Sequence, residues 1–362
     1  MKIKPIYLFL FLGLLSFQVS VFYVNVSLIN IYLQQIKLVS YLIFIFCIML
    51  QIKKQKLDIK TTLLITILFV ISAITYIKTS YPIFVEILLI FFATLNLDFN
   101  KILKADIFIK IFIIISLFIF NSLGLATSEF VVTRGEVIRN SYGFYHPNTF
   151  GMIIMITFFE FLYLFSNKLK IWHYILGIGL ICLIEITSNT RTAMICIAIL
   201  LLTCLFNKYV KKIVNNSIVE FFIKNLYLIL LVISVIITLM YIYEVPLSNE
   251  INELLSNRVY LQSVFYNEYG ITLFGNNIDY ERTLDNGFLK VLLNFGIITS
   301  LFFIVIYWLT FKKCYKEKNY VLIYIFMILL FFSFSESSMF YIYNNIFMIY
   351  LFTNKKEVAI GK

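Results

Sequence analysis

Long apolar runs separated by short polar connections recur along the chain from Ile6 to Phe352. They begin around Ile6, Ile36, Thr61, Tyr81, Ile107, Asn148, Ile171, Thr192, Asn225, Gly287, Tyr320 and Met339. A helix needs roughly 17 to 25 largely apolar residues to cross the hydrocarbon core, so the pattern predicts an all-α, polytopic membrane protein of about twelve spans. The last run is short and holds Asn344 and Asn345. Lys2 and Lys4 precede the first run as in a signal peptide, but no small-residue cleavage site follows, and the run is expected to be retained. No polar block is long enough to fold alone, which predicts one integral membrane domain over 1–362 with two long outer loops, 126–147 and 244–285. In the second, the spacing of Ile251, Leu254, Leu255, Val259 and Gln262 predicts an amphipathic helix over 249–269 lying on the outer membrane surface.

Composition agrees with the pattern. The chain is 61% hydrophobic and 14% charged, with mean hydropathy +0.93, too apolar for a water-soluble fold to cover. Cys47, Cys182, Cys196, Cys204 and Cys314 show no C-x-x-C spacing and argue against a disulfide framework or a metal site. The net charge of +11 does not point to nucleic acid, because the lysines sit in short connections and no soluble domain carries them. With the N-terminus inside, every lysine except Lys37, Lys78 and Lys290 falls on inner loops or inner helix ends. By the positive-inside rule both termini are then cytoplasmic.

The arginines run the other way. Arg134, Arg139, Arg191, Arg258 and Arg282 all fall on the outer side, where the topology rule does not put them. Arginine carries a planar, permanently charged fork suited to phosphate or carboxylate. Their placement points to an anionic ligand outside; the plainer alternative is pairing with outer acids such as Glu136 or Asp279.

Three outward-facing helix starts hold the candidate chemistry. Pro147 suits the first helical position, which places His146 at the cap and Asn148 in the first turn, with Arg139 and Arg134 just before. Unpaired N–H groups at such an end attract an anion and favour a neutral imidazole. His146 is either a working residue or one satisfied by local hydrogen bonds. Arg191 opens another helix, where a cation at the positive end of the dipole calls for a compensating anion; Glu185 and a snorkelling side chain are the simpler accounts. The third start, Glu281 to Phe288, contains Arg282, Asp285 and Asn286. Asp285 is a candidate general base or merely an N-cap. Glu86 and Glu160 are intramembrane acids without an assignable partner.

In order and spacing, Gly-Phe-Tyr-His-Pro-Asn148, Ser-Asn-Thr-Arg191, Ser-Asn-Arg258, Leu-Phe-Gly275, Asp-Asn-Gly-Phe-Leu289 and Asn-Phe-Gly296 resemble the motifs of a known family. It is that of the Wzy-type polysaccharide polymerases and the related O-antigen ligases of bacterial surface glycans. The resemblance implies a GT-C-type, metal-independent glycosyltransferase without a cofactor, in the cytoplasmic membrane of a bacterium. Its substrates would be undecaprenyl-diphosphate-linked oligosaccharides of a capsule or O-antigen pathway. A flippase and a chain-length regulator would be its protein partners. It also implies diphosphate binding by Arg139, Arg191, Arg258 and Arg282, substrate contacts from Asn148 and Asn286, and a general base at Asp285 or His146. Ligases carry a histidine where this chain has Asp285, so the match favours a polymerase over a ligase. A lipid-linked oligosaccharide flippase is the reading from another class.

Overall fold

The computed structural model describes residues 5–55, 59–128, 130–132, 138–255, 257–278 and 284–354. Arg134, Glu136, Asp279 and Arg282 lie outside the described residues. The fold is all-helical. In chain order come α1 (Pro5–Phe22), α2 (Leu33–Gln55), α3 (Ile59–Thr79), α4 (Ile83–Ala93), α5 (Phe99–Ser122), α6 (Pro147–Leu164), α7 (Ile171–Ile186) and α8 (Arg191–Leu205). There follow α9 (Asn207–Val214), α10 (Ser217–Lys224), α11 (Leu226–Ile242), α12 (Leu247–Leu254), α13 (Arg258–Tyr269), α14 (Gly287–Lys316) and α15 (Tyr320–Ser333). Between α5 and α6, strands β1 (Phe130–Val132) and β2 (Ile138–Asn140) pair antiparallel with Val131 opposite Arg139.

Among the described residues five helices are long and apolar enough to cross a membrane, or up to seven if each bent pair counts as one span. The chain is thus a multi-pass membrane protein. Eleven of the twelve apolar runs predicted as spans contain α-helix, counting α1 to α8, α11, α14 and α15 against them. The twelfth does not. From Met339 onward the chain forms 3-10 turns at Ser337–Phe340 and Ile346–Phe352. At a rise of about 2.0 Å per residue such turns fall far short of a bilayer of about 30 Å. Ile346 to Tyr350 are buried, with Tyr350 edge-on to Phe99.

Contacts divide the chain into two compact units interleaved in sequence, the boundary falling within α4. Unit one comprises Met1–Lys56, Leu89–Leu205 and Ile346–Lys362. Here α5 packs between α1 and α6, while α6 also packs on α7 and α8. Asp98 caps α5 by accepting from the backbone N–H groups of Asn100 and Lys101.

Unit two comprises Leu57–Leu88 and Phe206–Asn345. Its core joins Phe265, Ile278, Leu284, Leu289 and Leu293. The single surface helix expected over 249–269 is instead two helices, α12 and α13. Asn257 breaks it with a left-handed backbone (φ 63). Asn252 secures the break, donating to Asn257 Oδ1 at 3.2 Å and accepting from the Tyr260 N–H at 2.9 Å. The buried face of α13, with Val259, Gln262 and Phe265, packs into protein against α11 and α14.

The motifs Leu-Phe-Gly275 and Asn-Phe-Gly296 meet within unit two. At Gly296 (φ 85) α14 loses helical geometry. The segment around residues 272–276 supplies the missing partners: the Ile297 N–H donates to Thr272 O at 3.0 Å, and the Ile298 N–H to Leu273 O at 3.2 Å. Asn276 returns a bond from its backbone N–H to Asn294 O at 3.2 Å. A Cβ on Gly275 would lie 2.0 Å from Asn294 O, and one on Gly296 2.4 Å from Leu273 O. Both positions require glycine because backbone crosses backbone there. Irregular backbone within an apolar span is tolerated in a membrane protein when protein groups satisfy it.

Candidate functional site

The site residues predicted from sequence fall into two clusters, one in each unit. In unit one, α6 starts as expected. Pro147 is its first residue and His146 its N-cap, with extended backbone and Nδ1 accepting the Asn148 N–H at 3.1 Å. An Nδ1 that accepts leaves the proton of a neutral imidazole on Nε2, so His146 presents a donor there. Upstream, Tyr142 and Gly143 both adopt positive φ, and the Tyr142 N–H is held by Asn140 Oδ1 at 2.8 Å.

Arg139 leaves β2 and ties two helix starts together. Its Nε donates to Ser188 O at 2.6 Å, and its Nη2 donates to Asn148 Oδ1 and, at 3.5 Å, to Thr190 Oγ1. Thr190 in turn donates to Pro147 O at 3.4 Å and lies 3.0 Å from Ser188 Oγ. The N-terminal ends of α6 and α8, two of the three predicted starts, therefore converge. Gly151 permits the approach: a Cβ there would sit 2.6 Å from both Thr190 Cβ and Oγ1. Arg191 follows as the first, exposed residue of α8. Among the described residues its side chain has no hydrogen-bond or ion-pair partner, Glu185 included.

Beside this cluster runs an open apolar groove of about 540 Å³ between α5, α6 and α7. Ile111, Ile115, Phe158 and Leu180 line it, and Tyr142 and Thr187 belong to its wall. Thr187 immediately precedes Ser188, the Arg139 partner. Hydrocarbon space and a guanidinium are thus neighbours within one unit.

In unit two, Arg258 is the first residue of α13 and the hub of the second cluster. Its Nε lies 3.0 Å from Asp285 Oδ2, its Nη1 donates to Ser335 O at 2.6 Å, and its Nη2 donates to Glu336 Oε1 at 3.4 Å. Among the described residues, two carboxylates thus meet this one guanidinium. The arrangement holds Asp285 in a fixed orientation at about one-third exposure. Glu336 is the second arm of this grip. Asp285 is not the N-cap of α14. That role belongs to Asn286, whose Oδ1 accepts the Leu289 N–H at 3.0 Å while Nδ2 donates to Ser234 Oγ at 3.0 Å. Asn286 is buried and both ends of its amide are engaged within the protein. Lys290, one turn on, donates to Ser337 Oγ at 3.3 Å.

No protein-family model, curated protein or solved structure matches the chain.

Proposed function

We propose that the chain is a polysaccharide polymerase that joins undecaprenyl-diphosphate-linked oligosaccharide repeat units at the outer face of a bacterial cytoplasmic membrane. The observation that carries this reading is the unit-one cluster: Arg139, fixed by Ser188, Asn148 and Thr190, at the side of an apolar groove. A lipid-linked diphosphate has these two parts, a hydrocarbon chain and a dianionic head. The helix starts at Pro147 and Arg191 add N–H groups and dipole ends that favour an anion. In this reading Arg139 and Arg191 hold the diphosphate and stabilise the charge that develops as the anomeric bond breaks. Asn148 fixes the Arg139 fork, and His146 caps the helix start beside it. The resemblance also implies a diphosphate contact from Arg282, which lies outside the described residues. Asp285 serves as the base that takes the proton of the acceptor hydroxyl, with Arg258 as its positioning residue rather than a diphosphate ligand. A twelve-span GT-C architecture with cytoplasmic termini belongs to the same proposal.

The flippase reading requires charges lining a path across the membrane, whereas the buried charges of unit one are sealed from solvent. In cells carrying Arg139→Ala or Arg191→Ala, long-chain glycan should disappear while single repeats persist on lipid at the outer face. Repeats trapped inside would indicate a flippase, and lipid-borne polymer that is never transferred a ligase. Normal chain lengths in both variants would refute the proposal.

A further inference from the structure

Three further ionisable side chains lie in the interior of unit one. Asp106 and Lys110 are one turn apart on α5, and Glu160 faces them from α6. All three are fully buried. Lys110 Nζ is 2.5 Å from Asp106 Oδ2 and also bonds Glu160 Oε1. Gln18 of α1 completes the group, its Nε2 donating to Asp106 Oδ1 at 2.5 Å. Read from sequence alone, Lys110 counts as one more inner-end lysine, and Glu160 has no partner.

The charges do not balance as they stand. One ammonium faces two carboxylates, which leaves an excess negative charge in an interior where all three side chains are fully buried. An uncompensated ion in such surroundings costs several kcal/mol, and a buried group takes up or loses a proton instead. The hydrogen bonds indicate which group does so. Both oxygens of Asp106 accept, one from Lys110 and one from Gln18, as suits an ionised carboxylate. Among the described residues Glu160 accepts through Oε1 alone; its Oε2 is buried with no partner there, as is Gln18 Oε1. A proton on Oε2 turns one orphaned acceptor into a donor and removes the excess charge in the same step.

We propose that Asp106, Lys110, Glu160 and Gln18 form a proton-binding site in the interior of unit one, occupied by one proton held on Glu160. The site contains an ionised Asp106–Lys110 pair and a neutral carboxylic acid, so the helices α1, α5 and α6 meet around a cluster without net charge. An alkali cation is the other monovalent ligand that would balance the charge, but the adjacent ammonium already occupies the position between the two carboxylates.

Infrared spectroscopy of the full chain in lipid nanodiscs at neutral pH tests this. The wild type should show the carbonyl band of a protonated carboxylic acid, shifted by deuterium exchange. Glu160→Gln, which copies the shape and neutrality of the protonated acid, should lose that band and melt close to the wild type. Lys110→Met removes the positive charge, so a second carboxyl must protonate and the band should grow. Should Lys110→Met fail to fold, Glu160→Gln alone still decides. A wild type without the band, or a band unchanged in Glu160→Gln, would overturn the proposal. So would a melting temperature raised by sodium over choline at equal ionic strength in the wild type but not in Glu160→Gln, which would make the ligand a cation.

Discussion

Gly151→Ala tests whether the convergence of α6 and α8 builds the unit-one cluster. The added Cβ would stand 2.6 Å from Thr190 Cβ and Oγ1 and 3.1 Å from Ser188 Oγ. Ordinary contact begins at 3.4 Å, so α6 and the turn before α8 must separate by 3.4 − 2.6 = 0.8 Å. The contacts that cross this gap are the Arg139 bonds to Ser188 O and Thr190 Oγ1 and the Thr190 bond to Pro147 O. The last two are already 3.5 and 3.4 Å long and would be lost first. Overpacking of this kind costs about 1–3 kcal/mol. A shift of about 1 Å in a catalytic arrangement can cost on the order of 10²-fold in rate. We therefore expect Gly151→Ala to lower the melting temperature of the purified protein and to shorten the glycan made in cells. Thr190→Gly in the same chain removes Cβ and Oγ1 together and should restore part of both, giving a favourable coupling in a double-mutant cycle. If Gly151→Ala melts and polymerises as the wild type does, or if the two changes simply add, the close approach does not carry the site.

Other outcomes follow from particular contacts. His146→Ala removes the α6 cap and should cost about 0.5–2 kcal/mol, whereas Asn is a good cap. His146→Asn should therefore retain both stability and long-chain glycan; loss of polymer with intact folding would return His146 to the chemistry. Asp285→Asn should reduce polymerisation by about 10²–10⁴-fold, the usual contribution of a general base. Arg258→Lys should impair the same step, because an ammonium lacks the planar fork that spans Asp285, Ser335 and Glu336; wild-type chain length in a cell-based assay would contradict both. At Asn257, Ala should destabilise more than Gly in thermal melts, since both lose the bond to Asn252 but only Ala strains the left-handed backbone.

The helix starts were legible because their signals are local. Pro147 after His146, and the polar residues before Gly287, mark helix ends through backbone geometry that a few neighbouring residues decide. Even there the division of labour was not readable: Asn286 rather than Asp285 caps α14, and both are residues that cap well. The break in the 249–269 helix escaped the periodicity of its apolar residues, because Asn257 needed Asn252 as a partner across the turn. The loop before α6 was legible as a polar break between two apolar runs, but the β1–β2 pairing within it was not.

Hydropathy by itself determined that the chain crosses a membrane several times, since apolar run length is compared with bilayer thickness and nothing else. The contrast between lysine and arginine placement likewise needed only the order of residues. Only tertiary packing decided which charges act together. Arg258 meets Asp285 and Glu336, and Lys110 meets Glu160, across helices far apart in sequence. Gly275 and Gly296 are both glycine because two backbone segments cross there. In each case the partner is selected by the desolvation of buried polar groups, an energy set by which helices pack together and absent from any single stretch of chain.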